Sequence, residues 1–76
     1  MATSPSAQQA LGLAIKARHQ ELRLTQEQLA SDTGLHQRWI SDVETGKRNR
    51  SYSSLLHLAE GLELSTSELI ARAKQI

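Results

Sequence analysis

Gly34 lies at the centre of the most constraining stretch in this sequence, QEQLASDTGLHQRWISDVE at residues 26–44. Upstream of it Leu29 and Ala30 sit on one short apolar-periodic segment, and downstream Ile40 and Val43 sit on another. The spacing predicts two short helices with a tight turn between them. Each residue type has a mechanical part in that arrangement. Glycine takes the positive φ that ends the first helix, Ala30 is small where the second helix must cross closely, and Ile40 with Val43 turns one side of the second helix inward.

With Ile40 and Val43 inward, the outer side of the second helix carries Gln37, Arg38, Ser41 and Asp42. These side chains hydrogen-bond to base edges, which is what a helix-turn-helix presents to the major groove of duplex DNA from a recognition helix starting near Gln37. A plain structural hairpin is the alternative. The joint occurrence of alanine, glycine and two β-branched residues at these spacings favours the first reading. Gln37 donates and accepts at once, which suits adenine N6 and N7, whereas Arg38 offers two donors that suit guanine O6 and N7; each good bidentate contact is worth about 1–3 kcal/mol of discrimination. Arg38 and Asp42 are four residues apart, so they can also pair on the helix surface for about a few tenths of a kcal/mol. In a readout complex the Asp42 carboxylate would orient the guanidinium or accept from cytosine N4. Trp39, the only tryptophan, lies beside the Ile40 and Val43 stripe rather than on it. Core packing and exposure against a thymine methyl or a sugar both remain open for it.

A net charge of +1 says little about partners, but its distribution says more. Lys47, Arg48 and Arg50 follow the second helix directly, while Glu60, Glu63 and Glu68 lie towards the C-terminus. A basic run is ordinarily a solvated loop; its place beside a recognition helix points to phosphate contacts.

The 76 residues allow one small domain that buries only about 60% of its surface on folding. With no cysteine there is neither a disulfide framework nor a thiolate metal site. His19, His36 and His57 fall on separate segments without metal-ligand spacing, no motif places a Ser/His/Asp set, and no glycine pattern cradles a phosphate. The expectation is a protein that is not an enzyme, with no metal, cofactor or small-molecule ligand. No apolar run approaches the roughly 20 residues of a membrane span, and Met1 to Ser6 lacks the regions of a signal peptide, so a soluble cytoplasmic protein without a membrane partner is expected.

Taken in order, residues 1–5 read as a disordered tail and residues 6–76 as the domain. Ser4 followed by Pro5 signals a helix start. Leu11, Ile15, Arg18 and Leu22, with Ala7 and Ala14, then share one side of a first helix ending near Leu22. Gly12 is a mild defect there that would let another helix pack close. Thr25 with Gln28 forms a capping box at the second helix, and hydrophobic staples pair Leu24 with Leu29, Leu35 with Ile40 and Leu64 with Leu69. The third helix runs from about Gln37 to Thr45 with Gly46 ending it, and His36 occupies its cap where serine would be stronger. Ser51 or Ser53 opens a fourth helix with the stripe Leu55, Leu58, Ala59 and Leu62. Ser65 with Glu68 opens a fifth, through Leu69, Ala73 and Ile76. There is no strand signal and no repeat, so the fold class is all-α, a compact five-helix bundle.

Laid out in this way, the chain from about Leu11 to Ile70 resembles the lambda repressor and Cro-like (XRE-type) family of five-helix DNA-binding domains. Within it, LHQRWISDVETGKRN looks most like the small controller proteins of restriction-modification systems, which are short single-domain dimers. The TQEQLA motif, Gly34, Ile40, Val43, Glu44, Gly46 and the serine-led fourth and fifth helices fall where the family pattern places them. The resemblance implies that Gln26 grips a backbone phosphate, that Gln37 is the first base reader, and that Arg38, Ser41 and Asp42 face the groove. It further implies an aromatic residue of the controller type at Trp39, and contacts to phosphates and the groove edge from Lys47, Arg48 and Asn49. Three departures stand out. The family commonly has arginine at His19, paired with the glutamate matched by Glu44, and glycine at Arg23 and Glu63, so the first and fourth helices are expected to end with a different exit geometry.

The function implied is sequence-specific binding of double-stranded DNA by a transcriptional regulator. An antitoxin or phage-type repressor of the same fold, or a helical protein-binding adaptor without DNA, are the alternatives. One recognition helix reads few base pairs, so a homodimer is expected, built on Leu56 and Ile70, which fall off the inward faces, and on Leu64 at an exposed junction. Scattered surface leucines without a partner are the plainer reading of those three. The operator would be an imperfect palindrome with half-site centres roughly 10 base pairs, or about 34 Å, apart.

Overall fold

Among the described residues, the helices that follow Ser6, Thr25 and Ser65 each begin at a side chain that replaces the missing intrahelical partner of an end amide. The computed structural model describes residues 6–46 and 52–76, in which α1 spans Ala7–Glu21, α2 Gln26–Thr33, α3 Gln37–Glu44, α4 Tyr52–Gly61 and α5 Thr66–Ala73. The boxes expected at Thr25 with Gln28 and at Ser65 with Glu68 are both closed, and His36 caps α3 without a side-chain bond. At α1 the cap is Ser6: its Oγ accepts the Gln9 amide at 3.1 Å, and Gln9 Oε1 accepts the Ser6 amide at 2.9 Å. The expected start at Ser4 and Pro5 lies outside the described residues, as do the rest of the tail and Ser51. Ser53 is the second residue of α4 rather than its cap, because the helix has already begun at Tyr52.

The core draws on every helix. Ile15, Leu29, Ile40, Val43, Leu58, Leu62 and Leu69 are fully buried, each worth about 1.5–3 kcal/mol relative to exposure. α1 packs against α5 and α3, α2 against α3 and α4, and α4 against α5, so that α2 and α3 are held from both sides. Gly12 is a point of close approach. A Cβ built there would sit 2.4 Å from the Glu44 carbonyl oxygen and 2.5 Å from that of Val43, so only glycine lets α1 cross the end of α3. Gly34 has φ +73° at the end of α2, the left-handed conformation expected of it.

Arg23 and Glu63 adopt the glycine conformation without glycine. Both have φ +58°, so the different exit geometry expected at these two helix ends is not what the chain adopts. The surrounding bonds explain why. At the first corner the Leu24 amide donates to the His19 carbonyl at 2.8 Å and the Arg23 amide to that of Gln20 at 3.0 Å; at the second, Leu64 donates to Ala59 at 2.9 Å and Glu63 to Glu60 at 3.0 Å. Each is a Schellman motif, which satisfies the last carbonyls of the helix and requires a left-handed residue at its centre. A side chain there costs about 1–2 kcal/mol, offset by those bonds and by the packing of the leucine that follows. The two corners also share a local pattern, LRLTQEQL at 22–29 and LELSTSEL at 62–69.

Candidate nucleic-acid interface

α3 presents its first turn to solvent. Gln37 and Arg38 are exposed, while Ile40 and Val43 on the other side are fully buried and hold the helix to the core. Ser41 and Asp42, one turn further on, are half-buried. Trp39 is half-buried too and packs against the core, so part of its indole serves as a prop for α3 and part remains at the surface. Lys47, Arg48, Asn49 and Arg50 lie outside the described residues. Two residues beyond Arg50, Tyr52 opens α4 with 71% of its surface exposed. Sequence reasoning passed over this phenol, whose only signal was its place next to the basic run.

The start of α2 is tied to the end of α3 through the interior. Gln26, half-buried at the first position of α2, donates from Nε2 to Glu44 Oε1 at 3.0 Å. Glu44 ends α3 and is buried, as is His19; the second oxygen, Oε2, lies 3.0 Å from His19 Nε2. The other ring nitrogen, Nδ1, lies 2.9 Å from the Leu24 carbonyl oxygen. A carbonyl can only accept, so Nδ1 carries a proton. Nε2 and Oε2, 3.0 Å apart, form a charged contact when the ring carries both protons, and neither atom makes a hydrogen bond to any other group among the described residues. His19 thus departs from the family's arginine in type but still meets Glu44 in the interior. That Gln26 joins them has no sequence signal, because the residues are brought together only by packing.

Of the three residues expected at a dimer surface, Leu64 is corrected by the structure. It is only 9% exposed and belongs to the core, because the Schellman turn at Glu63 folds it back over α4. Leu56 is half-buried, and Ile70 is 39% exposed. Ile70 and the exposed Ile76 border an apolar cleft of about 460 Å³ between α1 and α5, floored by Ala10, Leu11 and Ala73. Among the described residues, no helix is long and apolar enough to cross a membrane.

Residues 10–72 match the profile of a family described as helix-turn-helix domain. The control protein C.SmaI of Serratia marcescens is 45% identical over 49 residues, which cover 64% of this chain and 58% of that protein. The chain thus spans little more than half the length of this relative. Among solved structures, the restriction-modification controller protein C.AhdI from Aeromonas hydrophila superposes with a TM-score of 0.78 at 33% identity, over 80% of this chain and 92% of that one. The controller protein C.Esp1396I, as a tetramer in complex with its natural 35 base-pair operator, superposes at 0.82 with 28% identity, over 96% and 100% of the two chains. The matched segment takes in α2, the turn at Gly34 and α3, and reaches into all five helices; this chain belongs to the helix-turn-helix domain family.

Proposed function

We propose that the chain is a transcriptional regulator of the restriction-modification controller type, which binds a palindromic operator in duplex DNA as a homodimer in the cytoplasm, without cofactor or catalysis. The observation that carries this reading is the exposed pair Gln37 and Arg38 on a helix whose opposite face is locked in the core. Base readout needs donors and acceptors held rigidly at groove depth, and Ile40 and Val43 supply that rigidity. Ser41, Asp42 and the exposed part of Trp39 extend the contact along the groove. Gln26 on α2, with Lys47, Arg48, Asn49 and Arg50 after α3, grips the phosphates on either side. The operator complex of the similar C.Esp1396I supports DNA as the partner.

Dimerisation supplies the length of sequence that one short helix cannot read. Ile70 and Ile76 leave apolar surface exposed beside the cleft on α1, which suits a second copy, with Leu56 contributing from α4. Selection of bound duplexes from a random pool tests the whole proposal. It should return an imperfect palindrome with half-site centres roughly 10 base pairs apart, and binding should fall steeply with salt as counterions are released. A flat salt response with no enriched sequence would favour a protein-binding adaptor.

A further inference from the structure

We infer that Glu44 is a positioning residue for DNA binding: from inside the protein it fixes the carboxamide of Gln26 at the start of α2. This rests on the proposed role of Gln26 as a phosphate contact. A glutamine at a half-buried helix start has three side-chain torsions, and an unconstrained one loses that freedom when it grips a phosphate. Here one Nε2–H is already spent on Glu44 Oε1 at 3.0 Å, which orients the amide and leaves its second N–H for an outside acceptor. Glu44 is in turn fixed from the opposite side by His19 Nε2 at 3.0 Å, and His19 by the Leu24 carbonyl at 2.9 Å. Leu24 is two residues before Gln26, so the bonds form a closed ring through α1, α3 and the α2 start. The ring couples the seating of α3 to the aim of a group on α2, the two elements that must meet the same stretch of duplex together.

The proton count supplies a discriminating variant. In Glu44→Gln the introduced carboxamide accepts from Gln26 through its oxygen and donates through its nitrogen to an unprotonated His19 Nε2, while Nδ1–H still reaches Leu24. All the bonds survive without the extra proton. In Glu44→Ala the ring is cut on both sides.

The experiment is a double-mutant cycle on the dissociation constants for one selected duplex and one random duplex, with the folded fraction followed by circular dichroism at the assay temperature. Gln26→Ala should weaken both duplexes alike by roughly tenfold, as expected for loss of a hydrogen bond to a charged group. Glu44→Gln should stay within about twofold of the parent, Glu44→Ala should lose as much as Gln26→Ala, and the double Ala variant should lose no more than either single. If Glu44→Ala does not fold, His19→Leu with Glu44→Leu fills the same space with apolar atoms and removes the acceptor, with the same loss expected. In NMR spectra, the two Gln26 amide protons should stay well separated in the parent and in Glu44→Gln, and converge when the acceptor is gone. Additive losses in the cycle, full affinity without the acceptor, or a Glu44→Gln loss equal to that of Glu44→Ala would each overturn positioning by Glu44. No effect of Gln26→Ala would instead overturn the phosphate contact itself, and the inference with it.

Discussion

The corner between α1 and α2 and the corner between α4 and α5 are built alike and used differently. Both pass from a Schellman motif through a left-handed residue and a leucine into a capping box, at Arg23, Leu24 and Thr25 and at Glu63, Leu64 and Ser65. The differences lie in what faces each corner. His19 and Ala59 hold equivalent places three residues before the helix cap; the first opens the polar ring to Glu44 and Gln26, and the second is buried among apolar side chains. Gln26 corresponds to Thr66, whose hydroxyl has no partner among the described residues. The second corner is braced instead by charge from outside: Arg18 Nε donates to the Leu62 carbonyl at 2.9 Å, and Glu21 accepts from both Arg18 and Arg72 at 3.0 Å. A local sequence pattern is enough to specify a corner. The neighbouring elements decide whether the first residue of the new helix is tied into a polar network, as at Gln26, or the corner is braced by an arginine, as at Leu62.

The leucines that follow the left-handed residues separate the corners most. Leu64→Ala should cost about 2–4 kcal/mol, because the side chain is buried in the core, whereas Leu24→Ala at its half-buried counterpart should cost about 1 kcal/mol. Urea unfolding of both variants measures the difference. Equal losses would mean that the first corner is as much part of the core as the second.

A test of their likeness comes from the left-handed residues themselves. Arg23→Gly and Glu63→Gly should each stabilise the fold by about 0.5–1 kcal/mol, the relief of the left-handed conformation less the extra freedom of glycine in the unfolded chain. Similar gains at both sites would show one local device. A gain at only one would show that the corners differ in backbone strain as well as in use.

Acid should distinguish the capping boxes. Glu68 closes the second box, and the bond from the Ser65 backbone amide, then that from the Ser65 side chain, hold its carboxyl below the ordinary value of 4.5; Gln28 closes the first box without a charge. Glu21 is likewise held below 4.5, by Arg18 first and Arg72 second. For a group whose folded value is depressed, the stabilisation is present above the unfolded value and is lost as pH falls through the folded one. Thermal melting between pH 6 and pH 3 should therefore show stability declining below about 4.5, and Glu68→Gln, which makes the second box like the first, should flatten that decline. An unchanged profile in this variant would place the acid sensitivity elsewhere.

What the sequence revealed and what it hid divide along the same line. Capping boxes at Thr25 and Ser65, the turn at Gly34 and the close crossing at Gly12 were legible because each depends on residues a few positions apart or on one residue type with a single steric use. The cap of α1 at Ser6 with Gln9 carries the same kind of local signal, which the neighbouring Ser4 and Pro5 obscured. The left-handed exits were missed because arginine and glutamate carry no mark of that conformation, and the burial of Leu64 was missed because it follows from the exit. The bond from Gln26 to Glu44 joins residues 18 apart through tertiary packing, and no local pattern encodes it. The exposed face of α3 was legible in full at Gln37 and Arg38, since two buried residues on a short helix leave the opposite side no choice.

We propose that α3 reads bases while the start of α2 grips the backbone. This is tested most directly by the ratio of selected-duplex to random-duplex affinity in Arg38→Ala, measured by fluorescence anisotropy at fixed salt. Loss of one bidentate base contact should reduce that ratio by about 1–3 kcal/mol, roughly five- to a hundredfold, and Gln37→Ala should do the same at a neighbouring base pair. An unchanged ratio, with both duplexes weakened equally, would contradict base readout by α3.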